Sequence, residues 1–354
     1  MKRIAVVSVC ACLAILMPLL CPGREPSAPD AQADVRDAHM DPCWSPLITR
    51  LAEDGMDQER MAQLFFDLAR PWSPVFMAAR LQELYGTRLG PDAQVKELPD
   101  KDPPLPHDYM PPAAAGFEGA KALLRERAPL LAEVHKRYGI PPSLIAAILL
   151  LESDMGHEIG EGLALHALAS LAVTITVEQA LQGIAGYKPP WPAFSKELEK
   201  SIREISAWAY QELYALIRYC ETGGIDMLRL PGSVQGAIGL CRFTPGKIGP
   251  YGVDSDNKGI IDLFNLSDAV YSIGNFLKAQ GFSEKLGIKK QLEVLRRYNH
   301  SDSYAALALG MSYQLAGKRP PAELGIFAGS GRKAWWPKVH PAYRLPSLGS
   351  YTIK

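Results

Sequence analysis

Residues 144–156 read LIAAILLLESDMG, a run of eight apolar residues followed at once by an acid. Counted from Ile145, the positions three, four and seven later are Ile148, Leu149 and Glu152, which places the acid on an apolar stripe of a helix. The other positions of the run are also apolar, and a helix that is hydrophobic all round is buried. The stretch therefore predicts a central, buried helix with a carboxyl group near its C-terminal end.

Two interpretations of Glu152 are open on this pattern. Pro141 and Pro142 suit a first helical turn, where a missing N–H costs little, so Glu152 falls in the last turn. There, burial and the negative end of the helix dipole both disfavour a carboxylate and raise its pKa. A general acid that works near neutral pH needs such a raised pKa. The alternative is a glutamate that marks where the helix reaches water, and the local pattern does not exclude it.

Composition limits the class of protein. The chain has 354 residues, of which 47% are hydrophobic and 21% charged, as in an ordinary globular protein. It carries 38 basic and 38 acidic side chains, for a formal net charge of +0. Binding to nucleic acid normally needs a basic surface, so no nucleic-acid partner is expected.

The N-terminus has the pattern of a secretory signal. A basic start, MKR, precedes an apolar run that ends near Cys21, and a polar segment rich in proline and alanine follows. We predict a signal peptide over residues 1–21, a flexible tether over 22–42 and a periplasmic location. Lipid attachment to Cys21 is a second possibility, although the three residues before it are bulky, and an uncleaved anchor helix is a third.

The cysteines give little further constraint. Beyond the leader the chain keeps Cys43, Cys220 and Cys241, with Cys21 if it is retained. An oxidising compartment permits a Cys220–Cys241 disulfide, but sequence cannot set connectivity, and unpaired buried thiols are the alternative. No cysteine or histidine spacing indicates a zinc site.

The remaining pattern predicts a mainly α fold. Few stretches alternate with a period of two, and residues 96–115 are rich in proline and polar residues, as in a linker or extended arm. A glycine pair at 223–224 predicts the end of the longest helix. Apolar spacing typical of helices recurs at residues 45–70 (broken at Gly55), 117–139, 144–152, 161–173 and 194–220.

Four blocks of the sequence resemble, in order, motifs of the lytic murein transglycosylase B family. Residues 138–172 resemble the family's catalytic helix, with its Glu, Gly and following apolar helix. GSVQGAIGLCRFTP (232–245) resembles its glycine-rich loop, residues 253–282 its cation loop and next helix, and YNHSDSY (298–304) its late aromatic motif. The similarity spans roughly residues 105–315.

The resemblance implies a lysozyme-like transglycosylase core over residues 105–345, preceded by a helical segment and linker over 43–104, with few short strands. It implies non-hydrolytic cleavage of the β-1,4 bond between N-acetylmuramic acid and N-acetylglucosamine in peptidoglycan. The muramoyl 6-hydroxyl would close on C1, with Glu152 as the one acid and base. Ordinary glycosidases need two carboxylates, but here the nucleophile lies within the substrate. The alternative is a peptidoglycan-binding scaffold of the same fold with little or no turnover.

The resemblance also implies substrate-binding residues. Ser233 matches a serine that could bind an acetamido group, and Tyr298, Asn299 and Tyr304 match residues that stack on sugars or orient the acid. The glycines of the loop, at 232, 236 and 239, would let backbone approach a sugar. Trp191 is a further candidate sugar platform, although a packing role is the simpler interpretation. Peptidoglycan glycan strands are the expected partner, and we expect a monomer.

Two departures from the family pattern affect the expected chemistry. Arg242 stands where the glycine loop usually has glutamine, and Met155 stands where an aromatic residue is common. A guanidinium only donates hydrogen bonds and brings a full positive charge. Near Glu152, Arg242 would lower the pKa of the acid and would weaken catalysis or favour more negatively charged chains.

The cation loop departs as well. By resemblance, Asp254, Asp256 and Asp268 occupy side-chain ligand positions of an EF-hand-like calcium site, and Ile260 supplies a backbone carbonyl. Lys258 replaces a ligand that is usually acidic, and its ammonium group can take the place of the cation. Calcium affinity depends on the number and charge of oxygen ligands, so we expect no tight calcium and no required cofactor.

Overall fold

Helices form most of the part of the chain that the computed structural model describes, which comprises residues 40–89, 93–96, 114–160, 162–187 and 194–324. In chain order these are α1 (Trp44–Glu53), α2 (Gln58–Leu68), α3 (Val75–Tyr85), α4 (Ala114–Glu126), α5 (Ala128–Tyr138), α6 (Pro142–Ser153), α7 (Ala164–Val173), α8 (Val177–Leu181), α9 (Ser195–Gly223), α10 (Pro245–Tyr251), α11 (Leu266–Ala279), α12 (Ile288–Tyr298) and α13 (Asp302–Leu315). The mainly α class is confirmed.

The predicted helix breaks have local causes. Between α1 and α2, Gly55 adopts a left-handed φ of 95°, and the Asp57 side chain accepts from the Arg60 N–H at 2.7 Å to cap α2. The segment at 117–139 is two helices rather than one, because the chain leaves helical geometry at Arg127 and restarts with Pro129 in the first turn of α5. At the end of α9, Gly224 is left-handed, as the glycine pair predicts.

Helix α6 is central, as its sequence predicts. It begins at Pro142, and every side chain from Leu144 to Leu150 is at most 2% exposed. Helices α4, α5, α11 and α13 contact it, and a hydrogen bond of 2.9 Å between the Ser143 and Ser312 hydroxyls joins it to α13. The surrounding helices therefore fix the position of its C-terminal end.

A two-strand ladder brings the glycine-rich loop to that end. Strand β1 (Gly162–Leu163) pairs antiparallel with β2 (Pro231–Gly232), with Gly162 opposite Gly232. Backbone there approaches so closely that a Cβ on Gly160 would lie 2.4 Å from the Gly232 carbonyl oxygen. The segment that follows α6 and the start of the loop are thus in contact.

Several sequence predictions fall partly or wholly outside the described residues. The signal peptide, Cys21 and all of the tether except residues 40–42 lie within the undescribed residues 1–39. Trp191 and most of the linker at 96–115 are likewise outside the described residues. Cys43, Cys220 and Cys241 are free thiols, with the last two buried, so the unpaired alternative is the one observed. Within the described helices, no single one is long and apolar enough to cross a membrane, and α5 and α6 pass that test only as a pair bent by 110°.

Candidate active site

Glu152 lies in the last turn of α6, with its side chain only partly exposed. Burial raises the pKa of its carboxyl group to about 7, against an ordinary value of 4.5. A hydrogen bond from the Tyr304 hydroxyl and the charges of Arg242 and Lys247 act in the opposite direction. The predicted raised pKa therefore has burial as its main cause, and the neighbouring cations reduce it without reversing it.

One of the two tyrosines of the late motif contacts the acid, and the other stacks on the first. Tyr304, at the start of α13, is fully buried and contacts the Glu152 carboxyl group through its hydroxyl. Its ring stacks on that of Tyr298, with centroids 6.2 Å apart and planes at 9°. Tyr298 is itself 5% exposed and donates a 2.7 Å hydrogen bond to the Cys241 carbonyl. Stacking of either ring on a sugar is not supported, because both faces are within the core, whereas the alternative of orienting the acid fits Tyr304.

Arg242 contacts the backbone of α6 directly. Its Nε donates a 2.9 Å hydrogen bond to the backbone carbonyl of Glu152. Its backbone has a left-handed φ of 49°, which is costly for a residue with a side chain, so the surrounding loop must enforce it. Arg242 lies beside the acid, as predicted, and its positive charge lowers the pKa of Glu152.

Lys247 and Glu212 also belong to the site, and sequence reasoning missed both. The Lys247 ammonium donates to the Tyr298 carbonyl at 3.0 Å and lies 5.4 Å from the centre of the Phe276 ring. Burial lowers its pKa, while the charges of Glu152 and Glu212 raise it. Glu212 is 9% exposed and accepts from the Gly246 N–H at 2.6 Å. The sequence did carry a signal for Glu212, since it falls on the apolar stripe of α9. Lys247 stands in a short helix rich in glycine and proline, which has no such pattern.

The glycine-rich loop is organised by Ser233. Its hydroxyl oxygen accepts from the backbone N–H groups of Gln235 at 3.2 Å and Ala237 at 3.1 Å, so its own O–H can donate to an acceptor such as an acetamido carbonyl. Gly236 and Gly239 have left-handed φ values of 71° and 76°, and a Cβ on either would lie within 2.4 Å of a leucine side chain. These two glycines are explained by packing of the loop on the protein, not by approach to a sugar.

A strained turn follows the acid. Asp154, Met155 and Gly156 have successive φ values of 42°, 60° and 98°. Left-handed geometry costs a non-glycine residue roughly 1–2 kcal/mol. The Glu158 N–H, which donates to the Ser153 carbonyl at 2.9 Å, helps to hold the turn. Met155 is 4% exposed and therefore packs inside the protein where the family pattern has an aromatic residue.

The remaining predicted site residues are Asn299 and the three aspartates of the cation loop. The segment from Asp254 to Asp268 is called the acidic loop from here on. Asn299 ends α12 beside Tyr298 and is partly exposed. Carboxylate oxygens of Asp254, Asp256 and Asp268 lie within 4.8 Å of one another, and the Lys258 ammonium pairs with Asp256 at 2.7 Å. Asp268 is 2% exposed and accepts from the Ser255 and Asp262 N–H groups at 2.9 and 2.8 Å.

The chain matches a known protein family over most of its length. A family model described as the transglycosylase SLT domain matches residues 39–294. The chain belongs to that family. The resemblance to the lytic murein transglycosylase B family is confirmed, and the match includes the acid, the glycine-rich loop, the acidic loop and α1–α3.

Individual relatives agree with this assignment. The membrane-bound lytic murein transglycosylase B of Escherichia coli is 31% identical over 145 residues, which cover 41% of this chain and 33% of that protein. The structure of the E. coli lytic transglycosylase Slt35 in complex with calcium has 17% identity and a TM-score of 0.57, over 82% of this chain and 98% of that one. SltB3 of Pseudomonas aeruginosa, in complex with NAG-NAM-pentapeptide, has 18% identity and a TM-score of 0.52, over 80% and 79%. These structures share the lysozyme-like fold of the SLT domain.

The acidic loop of this SLT domain does not fit a calcium ion well. The Lys258 ammonium already contributes a positive charge to the three carboxylates, and Asp254 accepts from the N–H groups of Lys258 and Gly259 at 3.1 and 2.6 Å. Calcium needs six to eight oxygen ligands, whereas a lysine offers none. Each of the three carboxylates thus already has a donor within the loop, and the lysine supplies positive charge where the family pattern has a further acidic ligand.

Proposed function

We propose that this protein is an exported peptidoglycan lytic transglycosylase, which cleaves the β-1,4 bond between N-acetylmuramic acid and N-acetylglucosamine and leaves a 1,6-anhydromuramoyl end. Family membership supports the reaction class. The observation that carries the proposal is Glu152, a carboxyl group with a pKa of about 7 at the end of a buried helix. Export rests on the signal pattern at residues 1–21, and a lipid anchor at Cys21 would place the enzyme at a membrane surface.

One carboxyl group suffices for this chemistry. Protonated Glu152 donates its proton to the glycosidic oxygen as the bond from that oxygen to the muramoyl C1 breaks. The resulting carboxylate takes the proton from the muramoyl 6-hydroxyl, whose oxygen forms the new bond to C1. Glu152 ends in its starting state, and no water is consumed.

The neighbouring groups suit both halves of that cycle. Burial keeps a substantial fraction of Glu152 protonated near neutral pH. Once the proton has left, the Tyr304 hydroxyl and the charge of Lys247 stabilise the carboxylate that forms. Asp154 is not a second catalytic carboxylate, because it lies past the helix end beside Gly116 and His157.

Digestion of purified sacculi tests the proposal. The full chain is compared with Glu152→Gln and with the control Glu199→Gln, which changes an exposed glutamate on α9. We expect soluble muropeptides with 1,6-anhydro ends from the wild type and the control, and a loss of at least about 100-fold in Glu152→Gln. Products with only reducing ends would identify a muramidase instead. Sacculus binding without any product would favour the non-catalytic scaffold.

A further inference from the structure

The guanidinium group of Arg242 is held in place at the acid but is not neutralised. Its Nε donates to the Glu152 carbonyl, and its Nη1 is buried with no hydrogen-bond partner among the described residues. No carboxylate of the described chain forms an ion pair with it, whereas arginines such as Arg80, Arg88 and Arg296 do pair with acids. No ion pair with a described carboxylate therefore cancels the charge of Arg242. Nη1 itself is enclosed, and an external anion reaches the partly exposed remainder of the side chain.

Holding an arginine in this way lowers the stability of the folded protein unless a ligand accepts its unused hydrogen bonds. A buried donor without a partner costs roughly 1–3 kcal/mol, and the left-handed backbone of Arg242 adds strain. The loop nevertheless holds this residue rigidly, because Cys241 and Phe243 on either side of it are fully buried. A fixed, partly desolvated guanidinium with unused N–H donors is the group that binds carboxylates through two parallel hydrogen bonds.

The substrate under the proposed function carries carboxylates. A muramoyl residue has a lactyl group whose carboxyl is free when the stem peptide is absent and is an amide when the peptide is attached. The peptide in turn has carboxylates of its own. We propose that Arg242 binds a carboxylate of the glycan substrate beside Glu152 and thereby sets which strands the enzyme prefers; this inference rests on the proposed function.

Carboxylate binding would also remove a conflict within the site. Free Arg242 draws the proton away from Glu152, which opposes the acid role. An anion bound to the guanidinium offsets that charge, so the acid keeps its proton when the preferred substrate is in place. Arginine in place of the family's glutamine would thus weaken the site when it is empty, but would favour an anionic strand over a neutral one as substrate.

Three forms of one glycan preparation distinguish the two possible sources of the bound carboxylate, the lactyl group and the stem peptide. The first is stripped of stem peptides and has free lactyl carboxylates, the second is the same material with those carboxyls converted to methylamides, and the third retains its peptides. Formation of 1,6-anhydro ends gives kcat/KM for the wild type, Arg242→Gln and Arg242→Lys. Calorimetric binding to Glu152→Gln, with and without Arg242→Gln, measures the same preference without turnover.

We expect the wild type to prefer stripped strands over methylamide strands by roughly 10- to 100-fold, and Arg242→Gln to abolish that preference. Arg242→Lys should keep only part of it, because lysine lacks the planar fork. The control Arg203→Gln, on the exposed face of α9, should leave it unchanged. A preference for the peptide-bearing strands that depends on Arg242 would assign the carboxylate to the peptide.

Equal cleavage and equal binding of all three forms by the wild type, or a preference that survives Arg242→Gln, would overturn the inference. If the proposed function itself is wrong, the result differs from these outcomes, because no form of the glycan would yield anhydro ends with any variant. In that case the binding comparison still decides whether Arg242 recognises a carboxylate.

Discussion

At the scale of single residues, the site depends on a competition over one proton. Burial at the end of α6 favours the neutral form of Glu152, whereas Tyr304, Arg242 and Lys247 favour its carboxylate. The outcome, a pKa of about 7, leaves both forms populated near neutral pH. A change in any one of these neighbours should therefore move the pH dependence of the reaction without abolishing it.

Lys247→Met should shift the pH profile of cleavage upward. Under the proposed function the reaction needs protonated Glu152, so activity should fall as the pH rises through the pKa of this group. Because the Lys247 charge lowers that pKa, its removal raises the pKa and moves the basic limb of the profile to higher pH. Rates of anhydro-end formation between pH 5 and 9 measure the limb. Lys247→Arg should keep the wild-type limb, as should Lys200→Met on the exposed face of α9, and an unmoved limb in Lys247→Met would contradict the prediction.

Glu152→Gln should stabilise the protein at alkaline pH. The folded pKa of about 7 is above the ordinary 4.5, so the stability that protonated Glu152 contributes is complete below pH 4.5 and is lost as the pH rises through 7. Glutamine stays neutral, and we expect a gain of about 1–3 kcal/mol over the wild type at pH 8 and a much smaller one at pH 5. Urea unfolding at the two pH values measures it, with Glu199→Gln as the control. An equal difference at both pH values would exclude burial of a titrating acid.

At the scale of elements, the sequence predicts what local physics dictates. The helix start at Pro142, the break at Gly55 and the end at the glycine pair follow from backbone chemistry, and apolar spacing identifies α6 as buried. The break at Arg127 was missed because the apolar spacing continues across it. The role of Lys247 could not be predicted, since its contacts with Tyr298 and Phe276 join α10 to helices distant in sequence.

The acidic loop before α11 should respond to calcium only when its lysine is replaced. In the wild type, Lys258 supplies the positive charge next to Asp256, so we expect no change in melting temperature with 1 mM calcium. Lys258→Asp adds an acidic ligand and removes that charge. It should lower stability without calcium and recover it with calcium, by about 2–3 kcal/mol if 1 mM is some 100 times the Kd. Calorimetric melting with calcium or EGTA measures the effect.

Lys200→Asp is the control, because it makes the same charge change on the exposed face of α9. Calcium should not affect it. Stabilisation of the wild type by calcium would show that Lys258 does not replace the ion. A Lys258→Asp variant that is folded but unresponsive would show that the loop lacks the oxygens for a site.

At the scale of the whole molecule, helices α1–α3 and the helices that carry the candidate site share one core. The described residues from Asp41 onward form one compact unit. His166 of α7 contacts the Pro71 carbonyl at 2.8 Å, and the Trp72 indole donates to the Thr174 hydroxyl at 3.0 Å. Helix α7 follows directly on the ladder that positions the glycine-rich loop. The helices α1–α3 therefore support the site, and Glu83 of α3 accepts a 3.0 Å hydrogen bond from the Gln235 side chain of the glycine-rich loop.

Trp44→Ala should consequently destabilise the entire unit and not only the N-terminal helices. Trp44 is fully buried, packs against Phe65 with ring centroids 5.3 Å apart, and donates from its indole to the Arg70 carbonyl at 3.0 Å. Loss of such a side chain costs about 3–5 kcal/mol. Urea unfolding followed by helical circular dichroism and by tryptophan fluorescence should give one coincident transition, moved to lower urea.

The matched control for this change is Leu84→Ala on α3, where the leucine is 49% exposed and the cost should be within about 0.5 kcal/mol. Because α7 connects the N-terminal helices to the ladder, the residual folded fraction of Trp44→Ala should lose cleavage of sacculi in step with its helical signal. Two separate transitions, with cleavage lost only in the second, would show that α1–α3 unfold independently. The site would then owe its geometry to the helices around α6 alone.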